Sequence, residues 1–142
     1  MFQKKKLSKI WLLSALLFFC SCFSVPEIHY TEAVDGEKAN GKNRLMIQLY
    51  DNDINNEKIS IKTNDNMIIF QGSKINESID TKISGNSKVL EFALNENVKF
   101  IYVKYERERY KLSMNKKYSI LFIGMRNTLD VLYTNREPIY TD

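Results

Sequence analysis

The chain has 142 residues with a single histidine and two cysteines, which fits one small domain with a short appendage. Its formal charge is +4, but residues 1–21 hold four lysines and no acid, so residues 22–142 contain 17 basic and 17 acidic side chains. Without a basic excess, the electrostatic basis for nucleic-acid binding is weak. One histidine also argues against a metal site of several histidines and against a histidine-dependent catalytic triad.

The first 19 residues have the two parts of a secretory signal peptide. Met1–Lys9 contains four lysines and no acid, and Ile10–Phe19 is a ten-residue apolar run. As a helix this run would be ~15 Å long, about half of the ~30 Å hydrocarbon core of a bilayer, so a stable membrane span is not expected. The sequence therefore predicts export from the cytosol.

Both cysteines lie in the next stretch, LLFFCSCFS. A disulfide between Cys20 and Cys22 would close a very small, strained ring, and a metal site built on this pair lacks its other ligands. Ser21 is a small residue directly before Cys22, whereas bulky Phe19 precedes Cys20. The stretch resembles the lipobox of bacterial lipoproteins, in which a small residue precedes the cysteine that receives a diacylglycerol group and becomes the first mature residue.

The resemblance implies a signal peptide over residues 1–21, cleavage between Ser21 and Cys22, and lipidation of Cys22. Cys20 would leave with the signal peptide, so the mature chain would have no free thiol and no disulfide. Phe23 follows the lipidated residue, where an aspartate commonly retains lipoproteins at the inner membrane. The resemblance therefore implies an anchor in the outer membrane and a domain that faces the periplasm.

Residues 22–43 are predicted to form the lipidated N-terminus and a flexible tether. Pro26, Gly36, Gly41 and several acids interrupt any helical or alternating pattern. A flexible tether of ~20 residues would reach roughly 25 Å. Within it, Glu27–Tyr30 is a candidate edge strand, and His29 would be too mobile to act as a general base.

Residues 44–142 are predicted to form an all-β domain. Short β-rich runs alternate with turns rich in Asn, Asp and Gly, and the polar segment 71–88 is expected to connect strands, with one short helical turn within Ser73–Ile83. This pattern predicts an immunoglobulin-like or transthyretin-like sandwich of two sheets and about seven to eight strands. The predicted strands are Leu45–Tyr50, Lys58–Lys62, Met67–Phe70, Val89–Leu94, Val98–Tyr105, Arg109–Ser113, Tyr118–Ile123 and Leu129–Tyr133.

The segment DNDINNE, Asp51–Glu57, begins like a calcium loop. An EF-hand would need glycine at Asn56 and a closing glutamate at Lys62, and the lysine is incompatible with that role. We therefore expect a hairpin turn here, with a weak calcium site of another kind, formed by Asp51, Asp53 and Glu57, as the alternative. No metal and no cofactor is predicted.

The stretch FIYVKYERERYKL, Phe100–Leu112, is predicted to form two strands that meet in a turn at Glu106–Glu108, because a single strand of this length would be unusual. One interpretation is a solvated hairpin whose charges discourage edge pairing. The other is a contact surface, since tyrosine and arginine anchor interfaces. The candidate partner-contact residues are Tyr105, Arg107, Arg109 and Tyr110.

Two predicted strands, Val98–Tyr105 and Tyr118–Ile123, are apolar on both faces. Since a simple sandwich buries one face of each sheet, the other face must be covered by a loop, the tether or a partner. No phosphate-binding glycine loop is present, and the only tryptophan lies in the signal peptide, so an enzyme is not expected. No small-molecule substrate is expected either.

These observations favour a lipid-anchored protein that works by binding. We expect a binding or scaffold subunit of a cell-envelope complex, similar in size, anchor and fold class to the accessory lipoproteins of type VI secretion systems. The alternative is an immunity or inhibitor lipoprotein that blocks a periplasmic toxin.

Overall fold

A computed structural model of the chain describes residues 22–32, 43–50, 53, 56–76, 80–84 and 87–137. In these ranges the chain is an all-β sandwich of eleven strands, which confirms the predicted fold class with more strands than expected. None of the residues in these ranges belongs to an apolar helix of membrane-spanning length. The strands are β1 (Glu27–Thr31), β2 (Arg44–Tyr50), β3 (Ile59–Thr63), β4 (Ile68–Gln71), β5 (Lys74–Ile75), β6 (Asp80–Ser84), β7 (Ser87–Ala93), β8 (Phe100–Tyr105), β9 (Glu108–Ser113), β10 (Ile120–Arg126) and β11 (Thr128–Thr134).

The strands form two sheets. The six-stranded sheet has the order β1-β11-β10-β2-β7-β6, and the five-stranded sheet has the order β5-β4-β3-β8-β9. All eight predicted strands are present, and the candidate edge strand is β1, which pairs in parallel with β11. The expected helical turn within Ser73–Ile83 is absent from the described residues, where β5 and β6 pair as edge strands instead.

The core lies between the sheets and follows the period-two alternation of the strands. Leu45, Ile47 and Leu49 of β2 are buried, as are Ile101 and Val103 of β8 in the opposite sheet. The hydroxyl of Tyr133 in β11 donates a hydrogen bond of 2.5 Å to the carbonyl oxygen of Ser113 at the end of β9. This bond joins the two sheets directly.

The N-terminal residues contact both sheets. The backbone N–H of Ser24 donates to the carbonyl oxygen of Arg109 in β9 at 2.7 Å, and β1 then pairs along the edge of the six-stranded sheet. Residues 22–32, the first part of the predicted tether, therefore pack on the sandwich. The predicted tether is thus not a free linker over all of residues 22–43. Residues 33–42 lie outside the described residues, as do residues 1–21, over which a signal peptide is predicted.

The segment Asp51–Glu57 connects the two sheets. It follows β2 of the six-stranded sheet and precedes β3 of the five-stranded sheet, so the expected hairpin turn is corrected to a sheet-to-sheet connection. Sequence alone did not show this, because a turn within one sheet and a turn between sheets use the same polar residues. Asp51 lies outside the described residues.

Candidate functional site

The residue proposed as the lipid attachment point lies next to the outer face of the five-stranded sheet. Cys22 is exposed, and the ring of Phe23 lies 6.2 Å from the ring of Tyr102 on that face. The side-chain hydroxyl of Ser24 donates a hydrogen bond to the carboxylate of Glu108. The contacts of Phe23 and Ser24, together with the hydrogen bond from the Ser24 N–H to the Arg109 carbonyl oxygen, therefore hold this segment against β8 and β9.

The outer face beside this N-terminus is basic. Side chains that point away from the core alternate with buried ones in β3, β8 and β9, which places Lys62, Lys104, Arg109 and Lys111 on the outer side. The strand register sets Lys104 directly opposite Arg109, and Tyr102 opposite both Lys62 and Lys111. Phe23, Tyr102 and three of these cations, Lys62, Lys104 and Arg109, line a shallow cavity of about 320 Å³.

Aromatic side chains on this face lie close to the lysine side chains. The Nζ of Lys111 is 4.2 Å from the centre of the Phe100 ring and 6.0 Å from that of Tyr102. Such cation–π contacts keep an ammonium group over apolar surface while it stays in contact with solvent. The second apolar face predicted for β8 is thus partly covered by the N-terminal segment, through Phe23, and by Lys111.

The four predicted partner-contact residues divide between core and surface. Tyr105 and Tyr110 are each only 8% exposed and belong to the core, whereas Arg107 and Arg109 are exposed. Tyr105 is in phase with buried Ile101 and Val103 of β8, and Tyr110 is in phase with buried Leu112 of β9. Burial raises the pKa of both tyrosine hydroxyls. The prediction of a docking surface is therefore corrected for the two tyrosines.

A second candidate surface lies on the outer face of the six-stranded sheet. Met46, Val89 and Ile120 form a small apolar cluster there, separate from the main core, and Phe122 packs against it. A cavity of about 460 Å³ opens beside this cluster, and its lining is mostly apolar. The residues that line it are Thr31, Met46, Ile120, Phe122, Leu132, Thr134, Arg136 and Glu137.

Charged groups fix one rim of this cavity. An Nη atom of Arg44 lies 2.8 Å from an Oε atom of Glu91, and its other Nη atom is bonded to the Glu137 carboxylate. Burial lowers the pKa of Arg44, but the hydrogen bonds to the two glutamates outweigh burial, so the pKa is raised overall. The Arg44 guanidinium therefore stays charged and links Glu137, at the cavity rim, to Glu91 of β7.

Asp53 stabilises the connection between the sheets. Its carboxylate accepts a hydrogen bond of 3.0 Å from the N–H of Tyr50, and its own N–H donates to the Tyr50 carbonyl at 2.8 Å. The residue is 7% exposed, and burial, with a smaller contribution from the nearby Glu106 carboxylate, raises its pKa. This geometry is that of a turn-forming aspartate.

Potential metal ligands do not cluster in the part of the chain that the structure describes. No group of three or more His, Cys, Asp or Glu side chains in these ranges could hold a metal ion. Glu57, the third residue of the calcium alternative, places its carboxylate against Gly72. His29 lies in β1, and its Nε2 is 3.3 Å from an Oε atom of Glu27.

The chain matches no protein-family model, and neither a curated protein nor a solved structure is significantly similar to it.

Proposed function

We propose that this chain is a lipoprotein anchored through Cys22, most simply in the outer membrane facing the periplasm, whose sandwich serves as a binding or scaffold subunit of a cell-envelope complex. The anchor is supported by the basic and apolar runs of residues 1–19 and by Ser21 directly before Cys22. The exposure of Cys22 leaves room for acyl chains. Two or three chains give lasting attachment, since one chain alone holds only marginally.

The apolar cavity of the six-stranded sheet carries the binding part of the proposal. The solvent-facing side of a sheet is normally polar, yet in this mixed sheet Met46, Phe122 and Leu132 line a cavity of about 460 Å³. Cavities of roughly 300–1,000 Å³ with apolar walls and a few polar groups are typical of binding sites. An apolar side chain of a partner protein would fill the cavity, while the charged rim at Arg44 and Glu137 would orient the partner.

The position of the anchor is consistent with a partner at this surface. The start of the mature chain packs on the outer face of the five-stranded sheet, on the other side of the core. A protein anchored there would present the six-stranded sheet away from the bilayer. Partners in the periplasm could then reach the cavity without displacing lipid.

Site-specific photo-crosslinking in intact cells tests this function. The crosslinking residue replaces Leu132, which lines the cavity, or Asp130, which lies two residues away on the same exposed face of β11 and outside the cavity lining. We expect a defined adduct from position 132 and none from position 130. Several envelope subunits in the adduct would support a scaffold, and one secreted toxin would favour the inhibitor role. Background labelling alone at position 132 would contradict a binding function for the cavity.

A charged substitution in the cavity should abolish partner binding and complements the crosslinking experiment. Leu132→Asp places a carboxylate in an apolar cavity, where it would lose solvation without a compensating partner. We expect capture through a crosslinking residue at Thr31, which also lines the cavity, to be lost in this variant. Asp130→Asn is the control variant and should leave capture unchanged.

A further inference from the structure

The basic outer face of the five-stranded sheet points to a second contact made by the protein. We propose that this face lies directly on the membrane and binds anionic lipid headgroups, so that the anchored domain is held in one orientation. The proposal rests on the proposed lipidation of Cys22. It adds a defined membrane-facing surface to what would otherwise be attachment through acyl chains alone.

The distribution of charge is the first argument. The outward positions of β3, β8 and β9 carry four cations and no acid, whereas residues 22–142 as a whole have equal numbers of acids and bases. The eight positions are Ser60, Lys62, Phe100, Tyr102, Lys104, Arg109, Lys111 and Ser113. The Glu108 carboxylate, at the start of β9, lies beside these positions and accepts the hydrogen bond from the Ser24 hydroxyl. A cationic set of outward positions on a neutral domain is complementary to an anionic surface.

The strand register is the second argument. Lys104 and Arg109 are direct cross-strand neighbours, and like charges in such positions destabilise a sheet. The other sheet shows the opposite arrangement, since Arg44 is paired with Glu91 across β2 and β7. Phosphate groups that lie between Lys104 and Arg109 relieve this repulsion. The pair does not stabilise the fold, but it contributes to headgroup binding.

The position of the anchor is the third argument. Phe23 directly follows Cys22 and packs on Tyr102, so the attachment point lies at the border of the basic face. Phe23 is 43% exposed and Val25 is 90% exposed. Aromatic and apolar side chains beside an acyl anchor suit the headgroup boundary of a bilayer. Because the anchor already holds the face at the membrane, even weak headgroup contacts are made at high effective concentration.

Lysine labelling of the reconstituted protein tests the proposal. The lipidated chain, purified in detergent, is placed in vesicles of phosphatidylcholine alone or of phosphatidylcholine with phosphatidylglycerol, and acetylation rates are read by mass spectrometry. We expect labelling of Lys62, Lys104 and Lys111 to fall at least about five-fold in the anionic vesicles, and high salt to restore it. Lys88, an exposed lysine of the six-stranded sheet, should label equally in both.

Equal labelling of the three lysines in both kinds of vesicle would overturn the proposal. Protection that appears only after addition of a periplasmic extract would also overturn it and assign the face to an acidic protein. The N-terminal peptide is analysed in the same samples, so that absence of a diacylglycerol group is recognised separately as failure of the proposed anchor.

A second arm does not depend on the anchor. The full chain with Cys22→Ser is sedimented with the same anionic vesicles, with or without the additional changes Lys104→Gln and Arg109→Gln. We expect the two changes to reduce sedimentation about ten-fold, and Lys88→Gln, the matched control, to leave it unchanged. Equal sedimentation with and without the Lys104 and Arg109 changes would contradict headgroup binding by this face.

Discussion

The ring of Phe23 packs on the ring of Tyr102 at a centroid distance of 6.2 Å. With the Ser24–Arg109 hydrogen bond and the pairing of β1 with β11, this contact makes the segment that follows Cys22 part of the folded domain. A lipid attached at Cys22 would therefore hold the sandwich close to the bilayer surface. Residues 33–42 lie after β1 in the chain, so they cannot act as a spacer between the lipid and the domain.

Replacement of Phe23 by alanine should release the N-terminal segment. We expect faster hydrogen exchange at the Ser24 amide, with a global stability loss below about 1 kcal/mol because Phe23 is only partly buried. Val25→Ala is the matched control, since Val25 is almost fully exposed. Unchanged exchange at Ser24 in Phe23→Ala would show that the aromatic contact does not hold the segment.

Removal of the Tyr133 hydroxyl should weaken the sandwich. Tyr133→Phe keeps the ring in the core but deletes the 2.5 Å hydrogen bond to the Ser113 carbonyl oxygen, at an expected cost of about 1 kcal/mol in denaturant unfolding. Tyr30→Phe is the control, because Tyr30 is exposed and its ring, stacked on Tyr133 at 5.4 Å, is retained. Equal stability of Tyr133→Phe and the unmodified chain would contradict a stabilising role for this bond between the sheets.

The sequence predicted the strands better than the surfaces. Alternation in segments such as Leu45–Tyr50 identifies a strand with one buried face, because core packing imposes that pattern. β5 and β6 escaped prediction because an edge strand can be stabilised by backbone hydrogen bonds to one neighbour without an apolar pattern. Tyr105 and Tyr110 looked like contact residues from their type. Because β8 is apolar on both faces, only the packing of the two sheets determines that the face with Val103 and Tyr105 lies inward, and Tyr110 lies opposite Val103.

The two candidate surfaces needed tertiary information. Lys62, Lys104 and Lys111 are far apart in sequence and become one basic face only through the register of β3, β8 and β9. The apolar cavity had one signal in the sequence, the apolar residues on both faces of Tyr118–Ile123. Its other walls come from β1, β2 and β11, whose proximity depends on two parallel strand pairings.

Asp53→Asn should change how stability depends on pH. Burial raises the pKa of Asp53 in the folded protein, so its contribution to stability is full below the unfolded pKa of about 3.9 and is lost as pH rises through the folded pKa. Asparagine keeps a hydrogen-bond acceptor for the Tyr50 N–H without the buried charge. We expect the variant to match the unmodified chain near pH 3 and to be the more stable one near pH 7.

The opposite behaviour is expected at Asp65, which serves as the control. The hydrogen bond from the Thr63 hydroxyl lowers the pKa of Asp65, so its contribution is present above the unfolded pKa and is lost as pH falls through the folded pKa. Urea unfolding between pH 3 and pH 7 should therefore give trends of opposite sign for Asp53→Asn and Asp65→Asn. Parallel trends would contradict the assigned pKa directions.

Gly72→Ala should destabilise the turn between β4 and β5. Gly72 has φ 55°, and a Cβ atom there would lie 2.9 Å from Cδ of Glu57. Alanine at this position would therefore have both an unfavourable backbone conformation and too close a contact with Glu57. We expect a loss of about 1 kcal/mol from the backbone. The double variant with Gly72→Ala and Glu57→Ala should recover only the part of the stability loss that comes from the close contact with Glu57, because the unfavourable φ remains. Gly124→Ala is the control, because its added Cβ would meet neighbours at 3.7 and 3.8 Å; equal costs for both glycine variants would contradict this explanation.

In the proposed function, membrane attachment and the orientation of both sheets follow from lipidation of Cys22, and the mass of the N-terminal peptide tests this lipidation most directly. The peptide is isolated from protein extracted from the membrane fraction. We expect a chain that begins at Cys22 and carries a diacylglycerol thioether. A peptide that retains residues before Cys22, or that carries Cys22 with an unmodified thiol, would contradict the anchor.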